Sequence, residues 1–233
     1  TATSVNKTGL TLTNGTTYYI SVRATDNVGN VSAIATADGI TIDTDNPVLT
    51  TPIEGSLATD IDYQNSGSEL IIAWSGSDST SSIALYEYAL GFTPGGTGTV
   101  GWTSAGTATA DTLVFTIYQP LIEGVTYYLS VRATDVAGNM SAPVTADGIT
   151  IDLTAPAGST VSDGTGADIS YSGSDTTLSA NWAAFTETVS GIQKYEYAIG
   201  TTSGGTELVT WTDNDTATSV TKTGLSLTSG STY

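Results

Sequence analysis

The sequence predicts an all-β fold built from tandem β-sandwich domains, and three observations lead to this prediction. Apolar and polar residues alternate in several short segments, a pattern typical of half-buried strands. Turn residues such as the GG at 95–96 and the GN at 138–139 separate these segments. A whole phrase of the sequence also recurs, so that Tyr18 and Tyr127 occupy the same place 109 positions apart.

The predicted strands follow in chain order at 68–75, 83–90 and 127–134. Each segment places its large apolar side chains on one side, because successive residues of a strand point to opposite faces. The predicted buried faces are Leu70, Ile72 and Trp74 in the first strand, Tyr86, Tyr88 and Leu90 in the second, and Tyr127, Leu129, Val131 and Ala133 in the third. No window shows a convincing helical period, so we expect strands and turns throughout.

The repeats predict how the domains are arranged. A spacing of 109 residues is the size of one domain, and it also relates YEYALG at 86–91 to YEYAIG at 195–200. A longer period relates TATSVNKTGLTLTNGTTY at 1–18 to TATSVTKTGLSLTSGSTY at 216–233. We therefore expect the C-terminal part of one repeat at 1–45, a complete domain at 46–154 and the N-terminal part of the next repeat at 155–233.

The segment LIEGVTY at 121–127 resembles the corner between strands E and F of a fibronectin type III domain, where a Leu and a Tyr six residues apart bracket a Gly turn. The same spacing occurs at Leu12/Tyr18 and Leu227/Tyr233. Trp74 matches the buried Trp of that family, and SVRATDxxGNxS resembles the fibronectin type III-like and Ig-like repeats of large bacterial surface proteins. The resemblance implies tandem sandwiches in which Trp74, Tyr86, Leu121 and Tyr127 stabilise the fold.

Composition excludes several classes of function. The chain of 233 residues has a net charge of −18, which disfavours binding to nucleic acid and to anionic membrane surfaces. No apolar run is long enough for a membrane helix. The sequence contains neither Cys nor His, so the commonest nucleophiles and general bases are missing. Asp60 and Asp62 form a carboxylate pair, but Ser170 replaces the second acid in the next repeat, and we interpret the pair as solvated rim acids. We expect no enzyme activity.

Calcium is the one cofactor that the sequence suggests. Acids gather near the predicted domain joints, Asp38, Asp43 and Asp45 at the first and Asp147 and Asp152 at the second. Calcium prefers several hard oxygen ligands, and an ion at each joint would offset the repulsion between acids. No complete calcium-loop motif is present, so the alternative is that these acids serve turns and surfaces.

Two further residue pairs recur between repeats. Trp102 and Trp211 follow Gly-rich loops and could stack on a sugar; the alternative is that each covers the edge of its own sandwich. Arg23 and Arg132 occupy one outward strand position, where we expect them to pair with an acid or to cover an aromatic ring.

The sequence thus predicts a structural repeat of a long extracellular or cell-surface fibre or adhesin, acting as a stalk or filament-forming spacer. The alternative is a spacer or carbohydrate-binding module of a secreted polysaccharide-degrading enzyme. The expected partners are neighbouring repeats of the same protein. Either the chain is a window in a long repeat protein, or separate chains complete each other head to tail by strand donation.

Overall fold

The computed structural model describes residues 3–158 and 160–233, and these form strands joined by turns. The chain divides into two compact units at 1–151 and 152–233. Within the first unit we distinguish a leading segment, residues 3–45, from a middle domain, residues 46–151. The all-β class predicted from the sequence is confirmed. Within the described ranges, no helix is long and apolar enough to cross a membrane.

The leading segment forms a folded-back pair of extended stretches. Its strands are β1 (Thr17–Tyr18), β2 (Ser21–Val22), β3 (Ala35–Thr36) and β4 (Ile40–Thr41). β1 pairs antiparallel with β4, and β2 pairs antiparallel with β3. The turn between the two stretches contains Asp26, whose carboxylate accepts hydrogen bonds from the N–H groups of Val28 and Asn30. Sequence-local bonds of this kind fix the turn without help from the rest of the molecule.

The middle domain contains two main sheets and one separate two-stranded pair. Its strands are β5 (Val48–Leu49), β6 (Ile53–Glu54), β7 (Tyr63–Gln64), β8 (Glu69–Ala73), β9 (Gly76–Ser77), β10 (Ile83–Gly91), β11 (Val100–Gly106), β12 (Ala110–Val114), β13 (Thr126–Asp135), β14 (Val144–Thr145) and β15 (Ile149–Ile151). The larger sheet has the order β11-β10-β13-β15-β7, and β14 also pairs with β13. The smaller sheet has the order β12-β8-β6, and β5 pairs with β9.

The apolar faces of the two sheets form the core of the middle domain. Leu70 and Ile72 of β8, together with Tyr127, Leu129 and Val131 of β13, are almost completely buried. The predicted inward faces of all three long strands are therefore confirmed. Complete burial of an aliphatic or aromatic side chain of this size is worth roughly 1.5–3 kcal/mol, so these strands supply much of the stability of the domain.

Aromatic rings fill the middle of this core. The Trp74 ring lies 5.6 Å from the ring centre of Tyr88 and 6.2 Å from that of Tyr86, in tilted arrangements that aromatic pairs favour. Trp74, Tyr86 and Leu121 are all buried, as the sequence predicts for residues that stabilise the fold.

The second unit repeats the first strands of the middle domain. Its strands are β16 (Val161–Asp163), β17 (Leu178–Trp182), β18 (Glu196–Ile199), β19 (Val209–Asp213) and β20 (Ser219–Lys222). β16, β17 and β20 form one sheet, and β18 pairs with β19 in another. The repeat spacing makes β17, β18, β19 and β20 the counterparts of β8, β10, β11 and β12. Tyr195 and Leu225 are buried in this unit, but Tyr197 and Ile199 remain half-buried, whereas their counterparts Tyr88 and Leu90 are buried.

Candidate functional site

Three carboxylates from distant parts of the first unit meet beside the end of the leading segment. Asp43 follows β4, Asp78 follows β9, and Asp135 is the last residue of β13. Ligand oxygens of the three side chains all lie within 4.8 Å of one another. We call this group the acidic cluster. The sequence predicts Asp43 as a metal ligand, and the fold adds two acids to it that no spacing motif connects.

Asp135 is buried and holds the turn that follows β13. Its Oδ1 accepts hydrogen bonds from the backbone N–H groups of Gly138 (2.7 Å) and Asn139 (2.8 Å), and its Oδ2 accepts one from the Asn139 side chain (2.8 Å). Desolvation raises the pKa of Asp135, but the bonds from Asn139 and Gly138 outweigh it and keep this pKa below its ordinary value. Asp135 therefore brings a negative charge into the cluster at neutral pH.

Two oxygens of the acidic cluster have no hydrogen-bond partner among the described residues. Asp78 Oδ1 accepts bonds from the N–H groups of Thr80 and Ser81, both 2.9 Å long, and Asp43 Oδ1 accepts one of 3.1 Å from the N–H of Asp45. The Oδ2 atoms of Asp43 and Asp78 are buried and unpaired. Burying a charged oxygen without a partner is costly, and a cation that accepts hard oxygen ligands would remove that cost.

Asp45 lies next to the acidic cluster and joins the leading segment to the middle domain. Its Oδ2 accepts hydrogen bonds from Ser79 Oγ (2.7 Å) and from Asn14 Nδ2 (2.9 Å). These bonds, the one from Ser79 above all, lower the pKa of Asp45. One carboxylate oxygen of Asp45, Oδ2, is therefore engaged in neutral hydrogen bonds.

The other three acids that the sequence suggests as ligands lie outside the acidic cluster. Asp38 is exposed. Asp152 accepts a hydrogen bond of 3.2 Å from the N–H of Thr154, which is a turn bond to the backbone. Asp147 is exposed and belongs to a second acidic group with Glu54 and Asp60.

Glu54 is the buried member of this second group, and the sequence analysis missed it. Its Oε1 accepts a hydrogen bond of 2.6 Å from the N–H of Leu129, and its Oε2 accepts one of 3.1 Å from the N–H of Gly148. Burial raises the pKa of Glu54 to about 7; the bond from Leu129 opposes this rise, and the charges of Asp60 and Asp147 add to it. Glu54 thus connects β6 of one sheet with β13 of the other.

At position 148, beside Glu54, the backbone leaves no room for a side chain larger than that of glycine. Gly148 has φ +106°, and a Cβ at this position would lie 2.7 Å from the ring of Tyr128. Asp60 accepts a hydrogen bond of 2.8 Å from the backbone N–H of Glu54, so this acid of the Asp60/Asp62 pair serves the fold. In the sequence, Glu54 lies between an Ile and a Gly, which is typical of an acid in an exposed turn. No sequence signal therefore indicates its burial.

On the outward face of the larger sheet, Arg132 of β13 lies between an acid of β10 and an aromatic ring of β11. Arg132 Nε lies 2.8 Å from Glu87 Oε2, and the Arg132 guanidinium carbon lies 4.4 Å from the ring centre of Trp102. The prediction that Arg132 pairs with an acid or covers an aromatic ring is confirmed on both counts. Because the arginine covers one face of Trp102, that face is closed to a stacked sugar.

The second unit carries the counterparts of this acid and this ring. Trp211, the counterpart of Trp102, is 65% exposed. Glu196, the counterpart of Glu87, lies 2.9 Å from Lys194 Nζ, and Asp213 lies 3.7 Å from the same nitrogen. In this unit Lys194 therefore pairs with both acids, and the indole ring of Trp211 is exposed.

Local hydrogen bonds repeat the same corner three times along the chain. In each, a tyrosine hydroxyl accepts a bond from the backbone N–H five residues earlier. The pairs are Tyr18 with Thr13 (3.0 Å), Tyr127 with Ile122 (3.0 Å) and Tyr233 with Thr228 (2.8 Å). Together with the two-sheet core around Trp74, these tyrosine corners decide the kind of domain. In these features the domains resemble fibronectin type III domains.

Comparisons with known proteins give a curated relative and a solved structure to which the chain is similar. Exoglucanase B of Cellulomonas fimi is 32% identical to this chain over 224 residues, which is 91% of the chain. The chain spans only 18% of the length of that enzyme. The FN1–FN3 domains of chicken CNTN1 cover 92% of the chain at 15% identity, with 67% of that structure covered and a TM-score of 0.37. No family model matches the sequence.

Proposed function

We propose that this fibronectin type III-like chain is a non-catalytic spacer within a larger extracellular protein, of the modular kind that degrades polysaccharides. The observation that carries the proposal is the similarity to Exoglucanase B, which extends over nearly the whole chain but over a small part of that enzyme. A region of this size beside a catalytic domain separates the domain from other modules. The comparison favours this interpretation over the fibre or adhesin stalk.

The contacts of the recurring residues support a spacer role. Tyr127 closes its corner, Trp74 fills the core, and Arg132 binds Glu87 across the sheet, so these three side chains serve the fold. Asp135 serves a turn. An extracellular location is part of this proposal, because the similar protein is an exoglucanase and an enzyme that degrades polysaccharide from the surroundings must meet it outside the cell.

The proposal is tested on the parent protein. An antibody raised against the 233-residue chain would isolate the native protein from culture medium and from cells, and its mass and full sequence would then be determined. We expect a protein in the medium that hydrolyses glucan and contains a catalytic domain beside these repeats. A protein made only of such repeats and attached to the cell surface would overturn the proposal and restore the fibre interpretation.

We also propose that the acidic cluster binds calcium through Asp43, Asp78 and Asp135. Three carboxylates within 4.8 Å of one another, two of them with a buried unpaired oxygen, match the ligand chemistry of this ion. Because Asp43 comes from the leading segment and the other two from the middle domain, a bound ion would fasten these two parts together.

Calcium titration tests this second proposal. After treatment with EDTA, added calcium should raise the melting temperature of the chain, and saturation at about 100 times Kd would add about 2.7 kcal/mol of stability. Asp78→Asn should abolish the rise. The matched control is Asp26→Asn, which alters the turn acid that corresponds to Asp135 in the leading segment and should leave the rise intact. Equal melting curves in EDTA and in calcium would exclude the site.

A further inference from the structure

A serine hydroxyl beside the acidic cluster is buried without a partner. Ser81 lies in the loop between β9 and β10, and its Oγ atom forms no hydrogen bond within the described ranges. Of the six buried side-chain nitrogen and oxygen atoms that lack a partner among the described residues, three belong to Asp43, Asp78 and Ser81. Because a buried polar atom without a partner is uncommon and costly, their grouping points to a common cause.

Backbone bonds hold Ser81 against the acidic cluster. The N–H of Ser81 donates a hydrogen bond of 2.9 Å to Asp78 Oδ1. Only the Cα and Cβ atoms separate Ser81 Oγ from that nitrogen, so the hydroxyl lies beside the Asp78 carboxylate. The carbonyl of the next residue, Ser82, accepts a bond of 3.0 Å from the N–H of Val136, which follows Asp135. The loop after β9 is therefore fixed against the turn after β13, close to both acids.

No lysine or arginine of the described residues forms an ion pair with the acidic cluster. The ion pairs of Arg132 and Lys194 are with Glu87, Glu196 and Asp213 instead. Asp135 is only 2% exposed, and its oxygens accept hydrogen bonds from N–H groups that carry no charge. Neighbouring carboxylates repel one another most strongly where water is excluded, so a bound cation would remove a repulsion that the protein itself leaves uncompensated.

We infer that Ser81 Oγ is a fourth protein ligand of this cation, an inference that rests on the proposal that the acidic cluster binds calcium. Calcium accepts neutral oxygens beside carboxylates, and oxygens bound to one ion lie up to about 5 Å apart across it. The carboxylate oxygens of the cluster meet this limit, since all lie within 4.8 Å of one another. The four ligands come from the leading segment, the loop after β9 and the turn after β13. Occupancy of the site therefore regulates how firmly these three parts are held together.

Isothermal titration calorimetry with calcium chloride, after removal of metal by EDTA, tests the ligand role on the 233-residue chain. Ser81→Ala should weaken calcium binding by about 10-fold or more, since even groups that only orient a metal ligand change metal affinity by about 10–100-fold. The matched control is Ser82→Ala, the next residue of the same loop, which is exposed and should bind calcium as the unmodified chain does. Heat that remains in Asp78→Asn belongs to other sites and is subtracted.

Melting temperatures separate a metal ligand from a residue that only supports the fold. In EDTA, Ser81→Ala should melt no lower than the unmodified chain, because it removes a buried hydroxyl that has no partner. Ser81→Asp should melt lower than the unmodified chain in EDTA, because it adds a like charge to the cluster. Saturating calcium should then raise the melting temperature of Ser81→Asp by more than that of the unmodified chain.

The outcomes for Ser81 and for the calcium proposal are distinguishable. If the unmodified chain binds no calcium, the buried oxygens hold water only, and both proposals are overturned. If the unmodified chain and Ser81→Ala bind calcium equally tightly, calcium binding stands and the role of Ser81 is overturned. A Ser81→Ala chain that melts well below the Ser82→Ala control in EDTA also overturns that role, because Ser81 would then support the fold without the ion.

Discussion

Strand β13 and its counterpart in the leading segment have almost the same sequence and the same local structure, yet they differ in burial. In both, the tyrosine corner is closed by a bond to the backbone, and the following hairpin keeps one register. Ile20 remains 63% exposed, while Leu129 is fully buried. Local bonds are therefore set by the local sequence, and burial is set by the presence of a neighbouring strand.

The largest expected effect is the loss of stability when a buried side chain is truncated. Leu129→Ala should destabilise the middle domain by about 3 kcal/mol, because it removes buried methyl groups and leaves a cavity. Ile20→Ala removes a similar side chain at an exposed position and should change stability by less than about 0.5 kcal/mol. Denaturant unfolding at low protein concentration measures both, and similar losses for the two variants would contradict the difference in burial.

The next effect concerns Glu54, the buried acid that bonds to the backbone of Leu129 in β13. Its folded pKa of about 7 lies above the ordinary value of 4.5, so the folded domain binds the proton more tightly than the unfolded chain. The stabilisation is complete below pH 4.5 and is lost as pH rises through 7. The total loss is on the order of 3 kcal/mol.

Comparison with Glu54→Gln isolates this contribution from that of other acids. Melting temperatures measured in EDTA from pH 4.5 to 7 should fall more steeply for the unmodified chain than for Glu54→Gln. Glu69→Gln, at an exposed position of β8, should follow the unmodified chain. If the curves of Glu54→Gln and the unmodified chain run parallel, Glu54 does not titrate in this range.

The smallest effect concerns the tyrosine corners. Tyr127→Phe removes the hydroxyl that accepts the N–H of Ile122 within a partly buried corner, and this should cost about 1–2 kcal/mol. Tyr18→Phe removes the same bond in an exposed corner, where water can replace the hydroxyl, and should cost less than about 0.5 kcal/mol. Chemical denaturation of both variants measures the difference, and equal costs would show that burial of the corner is unimportant.

Residue patterns within single strands and turns were enough to predict most of the buried side chains of the middle domain. Alternation placed Leu70, Trp74 and Tyr127 inward, and the Leu–Tyr spacing predicted the corner, because both features depend on residues close in the sequence. The expected contacts of Arg132 followed from its outward position in a strand. These predictions rest on the geometry of a strand, which the sequence reveals directly.

Contacts between residues distant in the sequence bring the members of the two acidic groups together. The alternation of apolar and polar residues does not predict such contacts. Asp78 approaches Asp43 and Asp135 only because β9, β4 and β13 end at the same place in the fold. Glu54 bonds to Leu129, 75 positions away, and a single glutamate between an Ile and a Gly carries no mark of this partner. Of the five acids suggested as calcium ligands, Asp43 alone lies in the acidic cluster, and calcium binding itself stays a prediction.

The pairing of β7 with β15 has a mechanical consequence. These strands lie near the beginning and at the end of the middle domain and run parallel, with Thr150 opposite Tyr63 and Ile151 opposite Gln64. A pull on the two ends of the domain would drag parallel neighbours in opposite directions along their lengths. Their hydrogen bonds would then bear the load together instead of opening one after another, so the domain should resist stretching most strongly at this seam.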